Sequence, residues 1–177
     1  MPTILSHAAV PLAIGLGLGR PAVSGRLIAA GVIACVLPDF DVLAFRLGIA
    51  YSDQFGHRGF SHSLLFALLP AVVAALVAAR LRATRPAAFF FVLVAAASHG
   101  LLDMLTNGGL GIAWLWPFSD HRFFFPEQPI QVSPLGLHRL LGPAGLAVAK
   151  SELLWVWLPA VASAATLRLA KKSAALR

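Results

Sequence analysis

Ala87-Ala88-Phe89-Phe90-Phe91-Val92-Leu93-Val94-Ala95-Ala96-Ala97-Ser98-His99-Gly100-Leu101-Leu102-Asp103-Met104-Leu105 carries no charged side chain before Asp103. A run of ~20 apolar residues is what an α-helix needs to cross the hydrocarbon core of a bilayer, where backbone polar groups must be bonded within the segment. Runs of the same character cover about 4–19, 27–47, 63–79 and 145–169. The composition agrees. Of 177 residues 59% are hydrophobic and 12% charged, with a mean hydropathy of +0.82, whereas a soluble domain is about 25% charged. The expected fold is all-α: an integral membrane helical bundle of about five transmembrane helices. Residues 1–177 form one membrane domain, and 107–143 form a mostly irregular outer interfacial segment.

Local signals refine these runs. Gly15, Gly17 and Gly19 are spaced to let another helix approach closely. The first run ends at Arg20-Pro21. Pro38 interrupts the second, which resumes through Val42 to Leu47, and Pro159 predicts a kink in the fifth. The outer segment, with Trp114, Trp116, Phe118 and Phe123-Phe124-Phe125-Pro126, is too broken by glycine and proline to span, and its aromatic residues suit a membrane interface. The N-terminal run has no basic n-region and is interrupted by His7 and Pro11, so it reads as a retained span. Cys35 is the single cysteine, which excludes an intramolecular disulfide.

A net charge of +7 and a pI near 11.1 would suit a nucleic-acid binder, but the basic residues cluster at the ends of the apolar runs, so no nucleic acid is expected. With five spans, one side collects nine Lys and Arg: Arg20, Arg26, Arg80, Arg82, Arg85, Arg168, Lys171, Lys172 and Arg177. The other five are spread over longer segments. The positive-inside rule makes the nine-residue side cytoplasmic and puts the N-terminus outside.

All seven acids and all six histidines then fall on the outer half. His7 lies near the start of the first span, Asp39 and Asp41 at the outer end of the second, His57 and His62 before the third, and His99 and Asp103 at the end of the fourth. Ionisable residues within spans are expensive and mark function by default, with a cation as the simplest shared partner. His99 and Asp103, at i and i+4, share a helical face. Asp39 and Asp41 sit beside a helix break, and Ser61 is available as an N-cap beside His57 and His62. His121 and His138 suit an interface, and Asp53, Asp120 and Glu127 suit loops.

A His and Asp donor set without thiolates fits Zn2+, one or two ions, with Mn2+ or Fe as alternatives. Such ions acidify water and polarise phosphoryl oxygens, which predicts hydrolysis. The guanidinium of Arg58 suits phosphate oxygens and makes a phosphoester the first choice of substrate. Asp41 is a candidate catalytic group as well as a ligand. Asn107 either orients a ligand or substrate or caps the helix, and Glu152 either completes the shell or pairs with Arg58.

The block His57-Arg58-Gly59-Phe60-Ser61-His62-Ser63, with Pro38-Asp39-Phe40-Asp41 before it and Ser98-His99-Gly100-Leu101-Leu102-Asp103 and Thr106-Asn107-Gly108-Gly109 after it, resembles the bacterial and archaeal YdjM family. That family is described as inner-membrane metal-dependent hydrolases and also carries a regulator-binding label. The order of His and Asp residues is more distantly similar to the zinc-dependent phospholipase C and nuclease superfamily. This second similarity implies His7, Asp39 or Asp41, His57 or His62, His99 and Asp103 as ligands, with an Asp bridging two ions. The later His-x-x-x-Glu or His-x-x-x-Asp pair of that superfamily has no match here, so at most two ions are implied.

Three function classes follow. The first is a metal-dependent hydrolase of the bacterial or archaeal inner membrane, acting on lipid or lipid-linked phosphoesters. The second is a non-catalytic metal or proton carrier, which would place polar groups toward the midplane or in both halves. The third is a regulator-binding membrane protein, which would need a larger cytoplasmic surface than these short loops offer.

Overall fold

The structure is a computed structural model and describes residues 1–20, 22–134 and 137–175. Pro21 and Arg177, read above as a run end and part of the basic tail, lie outside the described residues. The fold is an all-α membrane helical bundle. Among the described residues five apolar helices form it: α1 (Ile4–Leu18), α2 (Gly25–Arg46), α3 (Leu64–Leu76), α4 (Arg85–Met104) and α5 (Pro143–Ala175). By length and composition α2, α4 and α5 can cross a membrane, while α1 and α3 are shorter.

Helix starts follow ordinary capping chemistry. Ser24, Ser63 and Thr84 accept from the backbone N–H of Leu27, Phe66 and Ala87, respectively. The cap of α3 is therefore Ser63 and not Ser61, whose hydroxyl is turned to Asp41. Helix interruptions are gentler than the prolines alone suggest. At Pro38 the chain does not leave the helical path but tightens into a 3-10 turn over Leu37–Val42 before Leu43–Arg46. The Pro159 irregularity is taken up one turn earlier, as a π turn at Leu153–Trp157.

Packing centres on α4, which lies against α3 on one side and α2 on the other, while α5 packs along α1. Ala67, Ala71, Ala74 and Ala78 recur at helical spacing and meet Ala88, Val92 and Ala96 of α4, so small side chains bring the backbones close. Gly17 does the same for α1 and α5, since a Cβ there would sit 2.9 Å from Leu167 Cβ. Gly19 has a different job. It ends α1 at φ +62 and faces no other helix.

Outside this core the surface stays apolar. Leu69, Val73 and Leu76 on α3 and Leu153, Leu154, Trp155, Leu158 and Val161 on α5 are exposed, the arrangement that lipid rather than water accepts. The helices alternate in direction. Arg26 Nη1 on α2 donates to the Arg80 carbonyl and Lys171 Nζ to the Leu18 carbonyl at one end of the bundle, and His7, Asp39, His62, His99 and Asp103 meet at the other.

The segment between α4 and α5 folds back over that second end. It is irregular, with isolated bridges Thr106 to Ile130 and Ile112 to Phe123, and both isoleucines are fully buried. Arg122 pins it to the 48–60 connection by donating to the carbonyls of His57, Tyr51, Ser52 and Asp53, and it also donates to the Gly111 carbonyl within the segment. Burial pushes the Arg122 pKa down, opposed chiefly by Tyr51 and Asp41, and so many carbonyl acceptors suit a charged guanidinium.

Candidate metal centre

Each member of the cluster is delivered by a local feature of its own helix. In α1, Pro11 has no N–H to offer the carbonyl four residues back, which is that of His7. That carbonyl instead accepts from Cys35 Sγ on α2 at 3.3 Å, and His7 is fully buried beside α2 and α4. In α2 the change to 3-10 winding leaves the Cys35 carbonyl open to a side chain, and His99 Nδ1 takes it at 2.6 Å. A carbonyl only accepts, so His99 carries its proton on Nδ1 and turns a lone pair on Nε2 toward the cluster.

His62 is oriented in the same way from the turn before α3. Its Nδ1 lies 3.2 Å from Asp41 Oδ2, and its Nε2 lies 3.0 Å from His99 Nε2 and 3.3 Å from Asp103 Oδ2. His99 Nε2 is 3.5 Å from Asp39 Oδ1, and His7 Nε2 is 3.7 Å from both Asp39 Oδ2 and Asp103 Oδ1. The His7 and His99 rings stack with centroids 3.8 Å apart. Burial opposes a charge on His62, but its contacts with Asp103 and Asp41 outweigh this and hold its pKa up at about 9.

Five side chains thus point donor atoms at one another; His62 and His99 pair with each other, and the side chains of the other three find no hydrogen-bond partner among the described residues. His7 Nδ1 and Nε2 and both oxygens of Asp39 and of Asp103 are buried with no hydrogen-bond partner among the described residues. Buried polar groups left so are rare. Donors that share an ion at ~2.0–2.2 Å stand roughly 3–3.6 Å from one another, which is close to the spacing found here. His7, His99 and Asp103 form one group of metal-compatible donors, and Asp39, His62 and His99 form another. The two overlap at His99, whose free nitrogen has one lone pair, so the residues fit a single ion better than two.

Asp41 and His57 stand at the rim. Asp41 accepts from His57 Nδ1 at 2.5 Å, from the Arg58 backbone N–H at 2.9 Å and from Ser61 Oγ at 2.7 Å, besides lying beside His62. Its oxygens are committed to orienting neighbours. Arg58, at φ +62, sends its side chain inward, where it is fully buried. Nη1 donates to the Gly108 and Leu110 carbonyls, Nη2 to Thr106 Oγ1, and Nε lies 3.2 Å from Asp103 Oδ2. The expectation of a phosphate clamp does not match this placement, because the fork is already occupied. Burial pushes the Arg58 pKa down and the Asp103 carboxylate pulls it back up.

Asn107 is not brought to the cluster either. Its amide donates to Gln131 Oε1, and its carbonyl oxygen accepts from the Val132 N–H, which anchors the outer segment. Glu152 pairs with neither Arg58 nor the donors. It accepts from the backbone and hydroxyl of Thr3 and from Ser6 Oγ, tying α5 to the start of α1. Sequence reasoning did not single out Thr106, Arg122 or the Cys35 carbonyl. Nothing in composition or spacing marks a backbone carbonyl, but Thr106 stands one residue before Asn107 in the block already noted.

The profile of the YdjM inner membrane protein family matches residues 1–174. The chain is similar to the inner membrane protein YbcI of Escherichia coli (strain K12), with 51% identity over 160 residues that cover 90% of this chain and 92% of the relative. No solved structure matches. The extent of both matches and the membrane bundle itself lead to one conclusion: the chain belongs to the YdjM family of inner membrane proteins.

Proposed function

We propose that this chain is a metal-dependent hydrolase of the inner membrane that takes lipid or lipid-linked phosphoesters. The observation that carries the reading is the convergence of three imidazole nitrogens and two carboxylates at 3.0–3.7 Å, with most of their buried atoms unpartnered. His7, His62, His99, Asp39 and Asp103 would hold one divalent ion, Zn2+ before Mn2+ or Fe on donor type. Bound there, the ion supplies Lewis acidity and a water acidified to near neutral pH.

The chain's own residues supply the rest. Asp41 holds His57 Nδ1, leaving His57 Nε2 as the atom that passes a proton to the leaving group. Arg58, with Nε 3.2 Å from Asp103 Oδ2, keeps that carboxylate aimed at the other donors. A cleft of about 510 Å3 lined by Met1, Thr3, Leu5, Gly145 and Glu152 runs between the starts of α1 and α5 beside the lipid-facing surface. Met1 N lies 3.9 Å from Asp103 Oδ1, so this cleft is the approach for a headgroup. The excess of Lys and Arg at the other end favours a cluster on the outer face and a C-terminus in the cytoplasm.

Hydrolysis of a chromogenic phosphodiester and of phospholipids by detergent-purified protein loaded with Zn2+ or Mn2+ tests the reading. Metal-dependent turnover, lost in His99→Ala and lowered in His57→Ala with metal retained, is the expected result. Stoichiometric metal without turnover on any phosphoester would overturn it. The full burial of His7, His99 and Asp103 favours one other reading, an ion that only clamps the helices together. Removal of metal would then lower the melting temperature while no activity accompanies its return.

A further inference from the structure

At the end of the bundle away from the cluster, Arg20, Ser24, Gly25, Arg26 and Arg82 line a cavity of about 630 Å3. Its walls come from the α1–α2 connection, the first turn of α2 and the α3–α4 connection. The two connections are fastened together there, because Ser24 Oγ donates to the Leu81 carbonyl and Arg26 Nη1 to the Arg80 carbonyl. Arg82 stands in that second connection at φ +53, a conformation an L residue adopts at a cost of about 1 kcal/mol or more. Arg20 folds over the start of α2, where a Cβ on Gly25 would come within 3.4 Å of its Nη2.

The charge is unbalanced. All seven acidic residues of the chain lie in or beside the opposite end, and among the described residues no ion pair involves Arg20, Arg26 or Arg82. Three guanidinium groups that share a cavity without a carboxylate repel one another, and an anion with several oxygens relieves that repulsion. Guanidinium forks match pairs of phosphate oxygens, and the cavity lies against the start of α2. An apolar groove between α2 and α3, lined by Ala30, Ile33, Leu69, Val73, Val77 and Leu81, reaches the same connection, so a bound phosphate would have lipid-facing surface below it.

We infer that this cavity binds the phosphate of an anionic phospholipid from the surrounding bilayer. Basic pockets between helices at a membrane surface take such headgroups. Inorganic phosphate offers the same oxygens, but only the lipid also uses the apolar surface beneath. The site is independent of the metal cluster and of any hydrolysis there.

Native mass spectrometry of the detergent-purified full chain, mixed with phosphatidylglycerol or phosphatidylcholine, reads this directly. Phosphatidylglycerol adducts are expected to persist over phosphatidylcholine adducts. Arg26→Gln with Arg82→Gln should reduce their retention, by about fivefold for each arginine. Arg168→Gln with Lys172→Gln removes the same charge from the same end outside the cavity and should leave retention unchanged. Equal loss in the two double variants, or no loss in either, overturns the site. Full displacement of phosphatidylglycerol by an equal concentration of inorganic phosphate overturns the lipid as occupant and leaves a soluble phosphate. If the first double variant is not monodisperse, Arg82→Gln alone, in an exposed turn, replaces it.

Discussion

His99 Nδ1 donates to the carbonyl of Cys35, 2.6 Å away on the neighbouring helix, and this single bond settles which nitrogen of His99 faces His62. A main-chain carbonyl is used to orient a side chain, so the thiol of Cys35 is free of that role. Cys35→Ala is therefore expected to keep metal content at the wild-type level, while the melting temperature falls because the His7 carbonyl loses its Sγ donor, a cost of about 1–3 kcal/mol. Loss of metal in this variant, measured by elemental analysis, would show that the thiol matters after all.

The donor set should hold metal as a unit. His99→Ala with Asp103→Ala is expected to abolish stoichiometric binding. Asp41→Asn, which keeps shape but removes the charge orienting His57 and His62, should weaken affinity by about 10–100-fold. Titration calorimetry with Zn2+ distinguishes the two, and equal effects would mean that Asp41 is itself a ligand.

Ion uptake should expel a proton. Without a cation His62 has a pKa of about 9, so it is protonated at pH 7, and a coordinating imidazole must be neutral. Binding at pH 7 should release at least one proton, and apparent affinity should fall as pH drops below about 9. Calorimetry in buffers of different ionisation enthalpy counts the protons, and a count of zero contradicts this arrangement.

Arg58 should resist substitution. Replacing it by Ala removes the guanidinium that balances the buried Asp103 charge and leaves three oxygen acceptors without their donor, a loss of about 3–5 kcal/mol for a buried pair broken on one side. Arg58→Lys should rescue little, because one ammonium cannot span those positions. Thermal unfolding in detergent reads both, and near-wild-type stability of Arg58→Ala would argue for a mobile, substrate-facing side chain.

Gly17 tests the α1–α5 contact. A valine there would press against Leu167 Cβ and the Ala164 backbone, with an overpacking cost of about 1–3 kcal/mol. A melting temperature unchanged in Gly17→Val would mean that the two helices separate easily.

Hydropathy made the helical bundle legible, since five apolar runs leave few other choices, and it also brought His7, Asp39, His62, His99 and Asp103 to one end. What stayed hidden was the direction of individual side chains. Arg58 and Asn107 have the chemistry of substrate contacts, but their partners, Thr106, Gly108 and Val132, are set by how the outer segment folds back, which no periodicity encodes. Proline positions were informative in a way that differed from the expectation. Pro38 changed the winding instead of ending the helix, and Pro11 mattered through the carbonyl it left open.

The donors of the cluster come from α1, α2, the turn before α3 and the end of α4, so no pair of neighbouring helices contains them. During synthesis the cluster cannot exist until α4 has been inserted and packed, and Glu152 ties the chain around His7 only after α5 follows. Under the proposed function, ion loading would therefore belong to the finished molecule rather than to the growing chain. If the cluster takes the proposed ion, a cell that lacks it would accumulate inserted protein with several unpaired polar groups inside the bundle, a target for membrane quality control.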